Sequence, residues 1–266
     1  MNPEHFTYIG IDVAIAHPMF AYVALDGAQK LMAVGSGHLE EILAFCAGQT
    51  HALAAINAPI SPNHGLMKHQ APHEKLPPGS KANDFTNLRQ GEFELITRGV
   101  ASVQHTPSRP EKCPAWMRRG FLLYGRLKDL GYCLHPDENS ARQYFETHAE
   151  AAFQALIGQT LLNSETLEGR LQRQLILHEK DLPVSDPMDF FEEITRHKLI
   201  HGILPLQNIF SSNELNALIA AYTAWLVINQ PQDLTKLGDP QEGLIYLPPW
   251  KKTAEAPNRR PLLRPF

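Results

Sequence analysis

The sequence predicts an α/β protein built on one mixed β-sheet flanked by helices, and three observations carry that prediction. Three short β-like runs open the chain, at 6–13 (FTYIGIDV), 19–25 (MFAYVAL) and 30–36 (KLMAVGS), joined by brief connections that contain Pro or Gly. Such spacing favours antiparallel hairpins. An amphipathic helical stretch, HLEEILAFCAG, then leads into HALAAINAPI, a run apolar on both faces, as a buried parallel strand requires. Further along, ARQYFETHAEAAFQALIG repeats the order of a strand followed by a helix.

Taken in order, the opening reads β-β-β-α-β. The helix closes at Gly48 and the following strand at Pro59. A strand that returns to the same sheet after a helix runs parallel to its predecessor. Residues 60–90 are polar, rich in His, Pro and Gly, and without a period, so a long loop is expected there. FELITRGV suggests a short helix ending at Gly99. PAWMRRGFLLYGRLKDLGY suggests a longer one, with an apolar stripe through Trp116, Phe121, Leu123, Tyr124 and Leu127. Glu146 is expected near the end of its strand. Residues of about 161–210 read as a helical insertion broken at Asp186-Pro187. Ser211 and Glu214 have capping-box spacing and set the start of SSNELNALIAAYTAWLVI. EGLIYLPP is a short strand before a basic, Pro-rich tail at 251–266. The whole is expected to be a single domain over 1–266.

The 266 residues are 43% hydrophobic and 20% charged, enough for a substantial core in one large domain. No apolar run reaches membrane-spanning length, and MNPEHFTY lacks the pattern of a secretory leader. Cys46, Cys113 and Cys133 are odd in number and far apart, which argues against a disulfide framework or a zinc knuckle. A cytoplasmic protein without membrane association is expected. The net charge of −4 excludes a protein that coats duplex nucleic acid non-specifically. Any nucleic-acid contact is therefore local, in a cleft or along the basic tail, and a solvated terminus is the ordinary account of that tail.

Four polar residues stand out against their apolar surroundings: Asp12 in IGIDVA, Asn57 in AAINAPIS, Glu146 in YFETHAEAAF and Asn216 in ELNALIAAYTAW. A buried carboxylate is costly unless it is paired or binds a metal. In α/β sheets ligands bind beyond the carboxyl ends of parallel strands, where Asp12, Asn57 and Glu146 all fall. Asn216 lies one turn into its helix, in line with Ala220 and Thr223. Small residues along that stripe let the helix lie close to the sheet and aim Asn216 at the same cleft. Gathered there, carboxylates hold one or two Mg²⁺ or Mn²⁺ ions, hard cations that prefer oxygen. Two such ions about 4 Å apart support phosphodiester hydrolysis. Taken singly, each residue has a plainer account as a turn residue, a helix cap or a polar surface group.

The opening, with Asp12 on its first strand, is similar to the ribonuclease H-like fold. The stretches IGIDVA, AAINAPIS, ETHAEAAFQALIG, LEGRLQRQL, ELNALIAAYTAW and GDPQEGLIYLP, in that order, resemble the DUF429 family of predicted RNase H-like nucleases over most of the chain. The resemblance implies a metal-dependent nuclease. In it Asp12 and Glu146 ligate Mg²⁺ or Mn²⁺, and Asn57 and Asn216 complete the catalytic set. The family pattern prefers Asp where this chain has Asn57 and Asn216. Each exchange keeps the shape but removes an anionic ligand.

Two functions follow as expectations: a metal-dependent nuclease, or a catalytically degenerate protein that binds nucleic acid or a phosphorylated ligand. Arg170 and Arg173 in EGRLQRQL, and Arg196 beside His197, are candidates for phosphate recognition; solvated helix faces carry Arg equally often. Arg118, Arg119 and Arg126 read as such a solvated face. Arg89 and Arg98 border the long loop, within reach of a substrate phosphate. His64, His69 and His73 have no familiar metal-ligand spacing and suggest a polar lid. A sugar-kinase-like ATPase shares the three-stranded opening, but the Gly-rich phosphate loops it needs are absent from the sequence.

Overall fold

The computed structural model describes residues 6–14, 19–68 and 85–251. Its strands are β1 (Thr7–Val13), β2 (Phe20–Leu25), β3 (Leu31–Gly37), β4 (Ala52–Asn57), β5 (Cys133–Leu134), β6 (Arg142–Glu146), β7 (Thr235–Leu237) and β8 (Ile245–Leu247). Its helices are α1 (Leu39–Ala47), α2 (Gln90–Thr97), α3 (Ala115–Asp129), α4 (Ala149–Ile157), α5 (Leu167–His178), α6 (Asp189–Glu193), α7 (Arg196–Ile200) and α8 (Ser212–Asn229). The β-β-β-α-β opening matches the order expected from the hydrophobic pattern, as do the helix ends near Gly48 and Gly99. Gly99 takes a φ of +82°, which glycine adopts without the Cβ penalty.

Among the described residues one mixed sheet of eight strands runs β3-β2-β1-β4-β6-β8-β7, with β5 beside the first half of β6. β2 is antiparallel to β1 and β3, and β4 returns parallel beside β1 rather than beside β3. β6 continues the parallel set. β5 and β7 were not legible in the pattern, being two and three residues long.

Residues alternate between two cores, as a pleated strand dictates. Tyr8, Leu53, Ala55 and Phe145 pack beneath α4 and α8. Ile9, Ile11, Ala54, Ile56 and Tyr144 pack against α1 and α3 on the other face. The closest approach is at Gly10, where a Cβ would lie 1.9 Å from the backbone oxygen of Ala217 and 2.3 Å from the backbone nitrogen of Ala221. Gly10 and the alanines of α8 thus bring that helix onto the backbone of β1, the close packing that its small residues foretold.

The region 161–210 supplies α5, α6 and α7. His69 and His73 lie outside the described residues, as do 252–266, nearly all of the basic tail. Among the described residues no helix is long and apolar enough to cross a membrane. Cys46, Cys113 and Cys133 are free thiols.

Candidate functional site

Asp12 and Asn57 are register partners at the ends of β1 and β4. They share the face of Tyr8 and Leu53, beneath α8. The Ser211–Glu214 capping box fixes where α8 begins, with the Ser211 backbone N–H donating to Glu214 over 2.8 Å. Close packing at Gly10 then brings Asn216 over Asp12.

The amides are oriented by their partners. Asn57 Oδ1 accepts the backbone N–H of Ala149, at the start of α4, over 2.8 Å. Its NH₂ must therefore face Asp12, and it donates to Oδ1 over 2.6 Å. Asn216 Nδ2 approaches the same oxygen at 3.4 Å. The two carboxamides thus put N–H groups on the side of Asp12 where carboxylates would have required a proton or a cation between them. Asp12 Oδ2 makes no hydrogen bond among the described residues.

Glu146 is in register with Ile56 and so belongs to the alternation of the opposite face. The Arg89 guanidinium grips it with both terminal nitrogens, Nη1 at 2.8 Å from Oε2 and Nη2 on Oε1. The Ile60 backbone N–H donates to Oε2 over 2.8 Å. Arg89 Nε donates to Glu92 over 3.0 Å, and Glu92 in turn accepts the backbone N–H and hydroxyl of Thr106. Arg89, Glu92 and Glu146 are all buried. This network joins the end of β6 to the start of α2.

Asp12, Asn57, Glu146, Asn216 and Arg89 all line one cavity of about 560 Å³ at the carboxyl end of the parallel strands. Trp116, His148, Glu150 and Glu165 contribute to its walls.

The model of the family "Protein of unknown function (DUF429)" matches residues 10–242. The chain belongs to the DUF429 family. No curated protein and no solved structure matched it.

In this DUF429 member the matched span contains every wall of the cavity named above. Burial pushes the Asp12 carboxyl up to about 7; the Asn57 and Asn216 amides oppose that rise, and the charge of Glu165 adds to it. Burial also raises Glu146, with the Arg89 guanidinium pulling the other way. Burial alone would weaken the charge on Arg89, but Glu146 and Glu92 outweigh it and hold the guanidinium protonated. His148 is lowered to about 4, chiefly by burial. It stays neutral and uses Nδ1 to accept the N–H of Ala151, capping α4.

The arginines expected to read phosphate stand elsewhere. Arg173 is buried, paired with Glu150, and donates to the carbonyls of Leu162 over 2.9 Å and Gly169 over 3.0 Å. That binds α5 to α4. Arg170 lies on the same helix and Arg196 on α7, and neither lines the cavity. Arg98 pairs with Glu94 and stacks over Trp250.

Sequence reasoning placed Arg89 beside a loop within reach of a substrate phosphate, read Trp116 only as part of an apolar helix stripe, and passed over His148, Glu150 and Glu165. The only sequence signal for His148 and Glu150 is their place just after the strand end, where a helix begins.

Among the described residues no three His, Cys, Asp or Glu side chains converge as a ready-made metal cage. The donor set still fits one hard cation at Asp12, a buried carboxylate lining the cavity with one oxygen free of hydrogen bonds among the described residues. Water would supply the neutral oxygens, as Mg²⁺ accepts. At Glu146 the residues do not fit a second cation, because the guanidinium occupies both oxygens.

Proposed function

We propose that this chain is a phosphodiester hydrolase of the ribonuclease H-like type that works with one divalent cation, Mg²⁺ or Mn²⁺, held at Asp12. The single observation that carries the reading is the Asp12 carboxylate. It is buried at the end of β1, has no cationic partner among the described residues, and lines a cavity with further acids. Without a cation, the negative field of Asp12 and Glu165 repels a phosphate. The arrangement of β1, β2, β3 and β4, with β4 returning beside β1, supports the ribonuclease H-like assignment.

A bound cation would polarise a phosphoryl oxygen and acidify a coordinated water. The protein residues do the rest. Asn57 and Asn216 hold the Asp12 carboxylate by one oxygen, which leaves the other without a hydrogen bond among the described residues. Arg89 fixes Glu146 and supplies a permanent positive charge beside a carboxylate that the family resemblance would assign to a metal ion. His148, neutral and locked by its cap, keeps the start of α4 in place behind Asn57.

The test is cleavage of labelled single-stranded, duplex and branched DNA and RNA in Mn²⁺, Mg²⁺ or EDTA, with Asp12→Ala alongside. Metal-dependent cleavage lost in the variant supports the proposal. Metal binding, read as a rise in melting temperature, must be lost with it. A second reading rests on the Asn57 amide bonded to Asp12: a degenerate binder of nucleic acid or a phosphorylated ligand. No cleavage by the wild type, with turnover in Asn57→Asp/Asn216→Asp, establishes that reading and defeats the first.

A further inference from the structure

The helical insertion leaves large apolar side chains in solvent. Ile200 is 72% exposed, Leu199 59%, Phe191 56%, Ile203 54% and Met188 48%. They fall on α6, on α7 and on the turns that flank them. A hydrogen bond from Gln207 to Glu193 (3.2 Å) ties the end of α6 to the segment after α7, and the backbone bond from Ile203 N–H to the Lys198 carbonyl (2.8 Å) closes the end of α7. Each such side chain offers on the order of 100 Å², so the patch amounts to several hundred, the scale that marks an interaction site.

Charge is divided across it. α6, DFFEE, carries Asp189, Glu192 and Glu193; α7, RHKLI, carries Arg196 and Lys198 with His197 between them. The side chains of Asp189, Glu192, Arg196 and Lys198 make no ion pair or hydrogen bond among the described residues. An acidic helix followed in the chain by a basic one, both carrying exposed apolar side chains, is self-complementary under a twofold axis. Rotation by half a turn lays the acids of one copy on the bases of the other and brings the two apolar strips together.

We propose that this surface is the interface of a homodimer, in which α6 of one protomer packs antiparallel against α7 of its partner. Phe191, Leu199 and Ile200 form the dry centre. The flanking charges set the register, and Arg196 serves pairing rather than phosphate recognition. The contact lies outside the cavity of Asp12, so it does not depend on the hydrolase assignment.

The test is sedimentation velocity of the full chain from 1 to 100 micromolar, with three variants. The wild type is expected to sediment as a dimer, and Ile200→Asp as a monomer with an unchanged far-ultraviolet spectrum. Glu192→Lys/Asp189→Lys and Arg196→Glu/Lys198→Glu are each expected to be monomeric alone and to form a heterodimer when mixed. Because the reversed pairs restore each other, the result does not hinge on any one variant folding well. A wild type that stays monomeric at 100 micromolar overturns the proposal. So does a dimer indifferent to Ile200→Asp, or charge-reversed variants that fail to rescue each other.

Discussion

Replacing Arg89 with Met removes the guanidinium that pairs with two buried acids, and the cost follows from the contacts it makes. The guanidinium supplies two hydrogen bonds to Glu146, one to Glu92 and one to the Glu242 carbonyl. Met fills similar volume but leaves Glu146 and Glu92 desolvated without a counter-charge; their side chains are 4% and 3% exposed. Breaking a buried pair by removing one partner costs about 3–5 kcal/mol. For a chain of this length that is a loss of roughly 6–20 °C in melting temperature. The loss depends on pH with a definite sign. With no guanidinium to oppose burial, the folded-state pKa of Glu146 rises further above its unfolded value. The folded variant then holds a proton that the unfolded chain releases, so its stability falls as pH rises through that folded pKa. Urea unfolding at pH 5 and pH 8 measures this: the deficit relative to wild type should be larger at pH 8. Arg89→Met/Glu146→Leu should recover part of the deficit, since one charge has gone with the other. A loss below about 1 kcal/mol, or one equal at both pH values, refutes the claim that Arg89 neutralises a buried acid.

Other outcomes follow from the same geometry. Asp12 has a folded pKa raised from 3.8 to about 7, so its contribution to stability is present in full below pH 4 and lost as pH rises through 7. Asp12→Asn should therefore melt higher than wild type at pH 8, by on the order of a few kcal/mol, and near it at pH 4; scanning calorimetry across pH decides. Mn²⁺ at pH 8 should raise the melting temperature of the wild type but not of Asp12→Asn, with EDTA reversing the gain. Gly10→Ala puts a methyl into the backbone of α8 and should cost at least about 3 kcal/mol in urea unfolding. A cost below 1 kcal/mol would mean that the helix can move away freely. Asn57→Asp/Asn216→Asp crowds carboxylates at one point, so the metal-free protein should lose stability while Mn²⁺ affinity, measured by titration calorimetry, increases.

Sequence alone was enough to place most elements. Short apolar runs bounded by turn residues give β1 to β4 and β6. Helical spacing gives α1, α3 and α4, and the Ser211–Glu214 box gives the start of α8. These signals are local, a few residues each, and so survive without knowledge of the fold. The positions of Asp12, Asn57 and Glu146 at strand ends were legible for the same reason, as was the stripe of small residues that brings Asn216 over β1.

What Glu146 binds was not legible. Its partner Arg89 stands 57 residues away, beyond a long loop, and no periodicity links the two. Strand register, which sets the face on which each side chain emerges, depends on pairing between distant segments; it put Asp12 and Asn57 on one face and Glu146 on the other. Arg173 likewise reads as a solvated phosphate contact until α4 and α5 pack together and bury it against Glu150. The sequence determined which residues reach the end of the sheet. Only the tertiary structure decided which of their charges are already neutralised, because desolvation and pairing depend on every neighbour in space.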